Sequence, residues 1–209
     1  MAMASEQKKQ NIGVLYKLGA FLAFLMLGYL GIRGYKDSVE RLKIKGCSDE
    51  IRELMMNIKE RYATAHDYGK LDFKQVLTMR LFPKSMNKPG YSEPLNSYTG
   101  GVDIYYSALS PDALHGAFEI SFQGLSKDGC IALMRLTLDD GTGRDYIAVG
   151  GYGVATPAGV LDEVYHDTPK EKMKRNVFKS TEVLYTDVNL LKNACSCKDL
   201  TCSVVWKFR

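Results

Sequence analysis

From Leu18 to Ile32 the chain carries no charge, inside the longer stretch GVLYKLGAFLAFLMLGYLGIRGYKD that runs from Gly13 to Asp37. At 1.5 Å per residue a helix over Leu18–Ile32 rises only about 22 Å, short of a hydrocarbon layer of about 30 Å. Counted from Gly13 the rise reaches roughly 30 Å, provided that Lys17 extends its amine to the headgroups. A helix buried in a soluble core would show a polar stripe, and this run has none. A cleavable secretory signal would end in a small-residue Ala-x-Ala site, whereas this one ends Gly31-Ile32-Arg33-Gly34-Tyr35. The run is therefore predicted as an uncleaved single membrane span.

Two signals bear on its orientation, and they disagree. Lys8, Lys9 and Lys17 precede or enter the run, while Arg33, Lys36, Arg41, Lys43 and Lys45 follow it, which would keep the following residues in the cytoplasm. Long domains, however, cross membranes with little regard to charge. All five cysteines come after the run, with Cys195, Cys197 and Cys202 crowded together, as suits an oxidising compartment. The cysteines decide the expectation: a single-pass membrane protein with its C-terminal domain in an oxidising compartment across the membrane from the cytoplasm.

About 175 residues remain beyond the span, enough for one domain with a real core. Ile51, Leu54, Met55, Ile58 and Tyr62 recur at i, i+3, i+4, i+7 spacing, as on an amphipathic helix. Ser48 is a reasonable N-cap for it, with Asp49 and Glu50 in the first turn. Yet YKDSVERLKIKGC, between span and helix, contains no proline and one glycine. The simpler reading is one long helix, bent near Gly34 or Gly46; the other is two helices with a short loop. Next comes a loop, a short helix opened by Asp72 and a stop at Pro83.

The pattern then changes to period two. VDIYYSAL, GAFEISFQGL, DYIAVGGYGVAT and the terminal CSVVWKFR read as strands, with nineteen glycines in the chain to supply turns. SKDGCIALMRLTL reads as a helix capped by Ser126 with Cys130, Leu133 and Met134 inward, and DDGTGRD as a tight turn. The expected fold is α+β: a long N-terminal helix, half in the membrane and half amphipathic, packed on a mainly antiparallel sheet. The expected organisation is a basic leader or cytoplasmic tail over 1–13, a transmembrane helix over 14–34, its amphipathic continuation over 35–66 and a globular domain over 67–209.

Chemistry-bearing motifs are sparse. His66, His115 and His166 stand far apart, none beside a nucleophile motif. Cys195-Ser-Cys197 with Cys202 lacks the paired Cys-x-x-Cys knuckles of a strong zinc site, so disulfides are expected and no metal. GGYG at Gly150–Gly153 lacks the lysine and serine of a phosphate loop, and DDGTGRD does not match a calcium loop. A net charge of +4 without a basic, aromatic-interleaved stripe argues against nucleic acid; Lys170 to Lys179 reads as a solvated loop or helix face. No catalytic residues, no cofactor and no small-molecule substrate are expected.

These residues together resemble a type IVb pilin. NIKERYATAHDYGKL looks like the family's helix end and following loop, through Asn57, Ile58, Tyr62, Asp67, Tyr68 and Leu71. LFPKSM resembles its Leu-x-Pro-x-x-Met step at Leu81, Pro83 and Met86. LNSYTGGVDI is similar to an Asn-x-Tyr/Phe-Gly-Gly-Val turn at Asn96, Tyr98, Gly100, Gly101 and Val102, with Thr99 as an extra residue. The resemblance implies a closing disulfide between Cys130 and Cys195. Cys197 and Cys202, close in sequence, are then the second pair, leaving Cys47 free, although Cys197 or Cys202 in place of Cys195 is an open alternative. It further implies leader cleavage between Gly13 and Val14, but Leu18 stands where the family carries a glutamate. The expected role is a pilin-like structural subunit of a type IVb pilus or related envelope assembly, minor or non-standard. Its partners would be the membrane, copies of itself, other pilins or secretion-apparatus subunits. The alternative is a single-pass scaffold of a secretion or conjugation apparatus that does not polymerise.

Overall fold

The computed structural model describes residues 2–65, 67–136, 138, 146–165, 167–179 and 187–209. They divide into two compact units, 1–42 and 43–209. One helix, α1 (Ala2–Tyr62), supplies the described residues of the first unit and opens the second. It runs without a break through Gly34, Gly46 and Ser48, so Ser48 is no N-cap and the two-helix reading is wrong. A helical glycine costs only about 1 kcal/mol against alanine, which packing of the adjacent apolar face easily offsets.

In the second unit α1 is followed by α2 (Phe73–Thr78) and a 3-10 turn at Lys84–Met86. As expected, Asp72 caps α2, its Oδ1 accepting from Gln75 N at 2.7 Å. The helix ends before Pro83 is reached, and Arg80 takes a left-handed φ of 58° just beyond it. The strands are β1 (Val102–Ser107), β2 (Ala117–Leu125), β3 (Tyr146–Tyr152), β4 (Val177–Lys179) and β5 (Cys202–Phe208). Between them lie α3 (Lys127–Met134), capped by Ser126, and α4 (Val188–Ala194), capped by Asp187. Sheet order is β1-β2-β5-β3-β4, with every neighbouring pair antiparallel. The fold is thus α+β, a long N-terminal helix packed on a five-stranded antiparallel sheet.

Two elements depart from expectation. Lys170–Lys179 is not a solvated loop or helix face throughout: Val177 and Phe178 are buried in β4. Helix α4 had no periodic signal long enough to announce it. The DDGTGRD turn, over 139–145, lies outside the described residues.

The sheet has a core on each face. On one, Ile51, Leu54 and Ile58 of α1 meet Phe118, Ile120 and Phe122 of β2 and Val204, Trp206 and Phe208 of β5. On the other, a smaller cluster joins Ala117, Ile147, Ala148, Val177 and Val205 to Leu161, which sits in the segment after β3.

Candidate functional site

The predicted packing stripe is buried: Ile51, Leu54 and Ile58 are fully enclosed and Met55 nearly so. Tyr62 is half-buried; its hydroxyl donates to Gln75 Oε1 at 3.2 Å and its ring lies 5.4 Å from that of Tyr68. Glu50, expected at the mouth of a helix, is instead buried on this face. Its carboxylate accepts from the Ser97 amide and hydroxyl, each at 2.8 Å, and pairs with Lys88 at 3.4 Å. The helix therefore holds the long 87–98 loop through a charged hydrogen-bond set.

That loop closes on a buried asparagine. Asn96 Oδ1 accepts from Tyr98 N (2.9 Å) and Gly100 N (3.1 Å), while Nδ2 donates to Gln123 O (2.7 Å) and Gly101 O (3.3 Å). Both donors and the acceptor of the amide are used, so neither aspartate nor glutamine could replace it without loss. Gly100 is required by the same geometry, since a Cβ there would sit 1.8 Å from Gln123 O. The Asn-x-Tyr-x-Gly-Gly spacing is thus a tie between loop and β2.

Two disulfides fasten the C-terminal end. Cys130 of α3 is bonded to Cys195 just after α4, with Cα atoms 5.9 Å apart, and Cys197 to Cys202 at the start of β5. The alternative pairings are therefore not those of this structure. The first bond and Met134 lie over Gly151 of β3, where a Cβ would meet Met134 Sδ at 2.1 Å and Cys195 Sγ at 3.3 Å. Gly150 and Gly151 of GGYG thus lie within a strand, where Gly151 permits the close packing. Cys47 keeps a free, buried thiol, which burial first and Glu50 second push up to about 12.

Sequence reasoning did not find the polar cluster on the other face of the sheet. The strap 154–165 crosses there, held mainly by side chains of the strands. Ser121 Oγ donates to Thr156 O, and Ser203 Oγ donates to Val154 O at 2.8 Å. Asp103 Oδ2 accepts from Ala158 N at 3.1 Å. Glu119 Oε2 accepts from Gly159 N (2.8 Å) and Leu161 N (3.1 Å). Lys207 Nζ donates to Leu161 O (3.0 Å) and Asp162 O (2.9 Å) and lies 5.6 Å from the Tyr165 ring centroid. Burial, the larger effect, draws the Lys207 amine down to about 8 against the pull of Glu119 and Asp162. Burial likewise raises the Glu119 carboxyl.

A groove of about 540 Å³ lies at the end of α1 between Asn57, Glu60, Arg61, Thr64, Arg80 and Leu81. In the first unit, the large apolar side chains from Phe21 to Tyr35 stand 50–74% exposed. Exposed apolar surface on that scale marks an interaction site. Among the described residues, no helix is long and apolar enough to cross a membrane, and no three His, Cys, Asp or Glu side chains are placed to hold a metal ion. Gly13 and Val14 lie within α1. The arrangement supplies fixed surfaces and a braced sheet.

Known proteins resemble this chain in family and in fold. A family model described as PilS N terminal matches residues 42–166. No curated protein matches the chain in sequence. Among solved structures, TcpA, a type IV pilin from Vibrio cholerae El Tor biotype, superposes with a TM-score of 0.53 at 12% identity, covering 79% of this chain and 98% of that one. A type IVb pilin from Salmonella typhi gives a TM-score of 0.44 at 10% identity, covering 74% of this chain and 93% of that one. Such low identities speak to fold alone, but the family model spans more than half of the sequence. The chain belongs to the PilS N-terminal family and is a type IVb pilin-like protein.

Proposed function

We propose that the protein is a structural subunit of a type IVb pilus or related envelope-spanning assembly, held in the bacterial inner membrane by the N-terminal part of α1 with its sheet domain in the periplasm. The observation that carries this reading is the exposed apolar surface from Phe21 to Tyr35, on the same helix whose later residues are buried against the sheet. Water would not tolerate such a surface on an isolated subunit, whereas lipid or neighbouring copies of α1 would cover it. The two disulfides support an oxidising compartment for the domain. The role is mechanical, without catalysis or cofactor. Residues 1–13 act as the leader, removed after Gly13 to leave Val14.

Leu18 favours a second reading. A glutamate buried among apolar helices would be neutralised by a neighbour's terminal amine, and leucine offers no such pairing. In that case the protein stays a single-pass scaffold of a secretion or conjugation apparatus. Sequencing the N-terminus of protein purified from its host separates the two. A start at Val14 supports the subunit; an intact leader supports the scaffold.

A further inference from the structure

Ser107 joins two carboxylates at the centre of the strap's attachment. Its Oγ lies 2.9 Å from Glu119 Oε1 and 3.0 Å from Asp162 Oδ1, and Asp162 Oδ1 also accepts from Ala108 N at 2.7 Å. Ser107 and Glu119 are both fully buried. A hydroxyl carries one proton, so with both carboxylates ionised it donates to one and turns a lone pair on the other. One added proton removes the conflict. Protonated Glu119 Oε1 donates to Ser107 Oγ, Ser107 donates to Asp162 Oδ1, and Glu119 Oε2 goes on accepting from the Gly159 and Leu161 amides.

We propose that Glu119, Ser107 and Asp162 form a proton-dependent clasp that holds the 158–162 strap on the sheet at acidic pH and loosens its hold as pH rises. Every element around Glu119 contributes a group to the balance. Lys207 of β5 attracts its ionised form, Tyr152 of β3 faces it, and Asp103 and Tyr105 of β1 lie on the near edge. The strap itself brings Asp162, and Tyr165 beside Lys207. Burial outweighs Lys207, Ser107 and the two amides, so Glu119 binds its proton more tightly folded than unfolded. A raised carboxyl adds stability that is complete below the unfolded value of 4.5 and lost as pH climbs through the folded one.

Amide exchange on the intact chain in detergent, from pH 4 to pH 7.5 and corrected for intrinsic rates, reads the clasp at Gly159 and Leu161 from below the unfolded value of 4.5 upward. Their protection is expected to fall severalfold across this range, while that of Trp206 in the other core does not. Glu119→Gln imitates the protonated acid, so its profile should be flat. Asp162→Asn, at an exposed position with little risk to folding, frees the Ser107 proton for Glu119 and should shrink the slope. Wild-type protection unchanged with pH overturns the proposal, as does an undiminished slope in Asp162→Asn or in a folded Glu119→Gln.

Discussion

Lys207 of β5 stands directly opposite Glu119 of β2 in the antiparallel register, and both side chains send their charged ends into the backbone of one strap. Two buried ionisable groups in a sheet are costly unless each is satisfied. Here strap amides meet the carboxylate and strap carbonyls meet the ammonium. The strap thus covers a face of the sheet that would otherwise present polar side chains to water.

Lys207 gives this arrangement a measurable pH signature. Its folded pKa, drawn down to about 8 from 10.5, means that the unfolded chain binds more protons between those values. Stability from this group therefore rises with pH through that window, by about 2 kcal/mol between pH 8 and 10. Cys47, raised to about 12 from 9.0, works in the opposite direction. Urea unfolding of wild type and Lys207→Met across this range cancels the Cys47 effect in the difference, which should grow in favour of wild type as pH rises. A difference independent of pH would show that Lys207 titrates as it does in water.

Leu54 is fully enclosed between α1 and the sheet. Leu54→Ala should cost about 2–5 kcal/mol, depending on how far the site collapses. Thermal melting of the two proteins measures it, and an unchanged midpoint would contradict the packing.

The two disulfides should differ in weight. Sequence separations are 65 for Cys130–Cys195 and 5 for Cys197–Cys202. Loop-closure entropy then assigns about 4 kcal/mol to the first and about 2 kcal/mol to the second. Paired serine substitutions compared by denaturant unfolding should show the first loss to be the larger. Peptide mapping without reductant should recover both bonds and a free Cys47.

Asn96→Asp keeps the shape but removes both amide donors to Gln123 O and Gly101 O, placing a carboxylate against two carbonyls. A loss of about 1–3 kcal/mol is expected in unfolding experiments, the range for buried groups left without partners. Asn96→Asp with wild-type stability would deny the loop tie its role.

Much of the fold was legible because its periodicities were local. The stripe from Ile51 to Ile58, the capping side chains of Asp72 and Ser126, and four alternating strands each announced themselves within ten residues or so. That alternation sets Phe118, Ile120 and Phe122 on one face of β2, which the structure buries in the core shared with α1. What it could not supply was the fate of Glu119, Ser121 and Lys207. Polar residues at alternate positions ordinarily mean a solvated face, and here a segment some 40 residues away in sequence covers it. Glu50 misled for a similar reason: acidic residues near a plausible cap suggest a helix start, whereas its partners, Ser97 and Lys88, lie far along the chain. Val177 and Phe178 were hidden among lysines, in a strand too short for a period to show.

Cysteine cross-linking along α1 tests most directly whether copies of the chain assemble through this helix. Single cysteines placed in turn from Leu22 to Tyr35, in a Cys47→Ser background, would be oxidised in membranes of the native host and resolved on non-reducing gels. The account predicts covalent homodimers whose yield rises and falls with helical period, strong on one face of α1 and weak on the other. Monomer at every position, with the protein present and folded, would contradict assembly through α1.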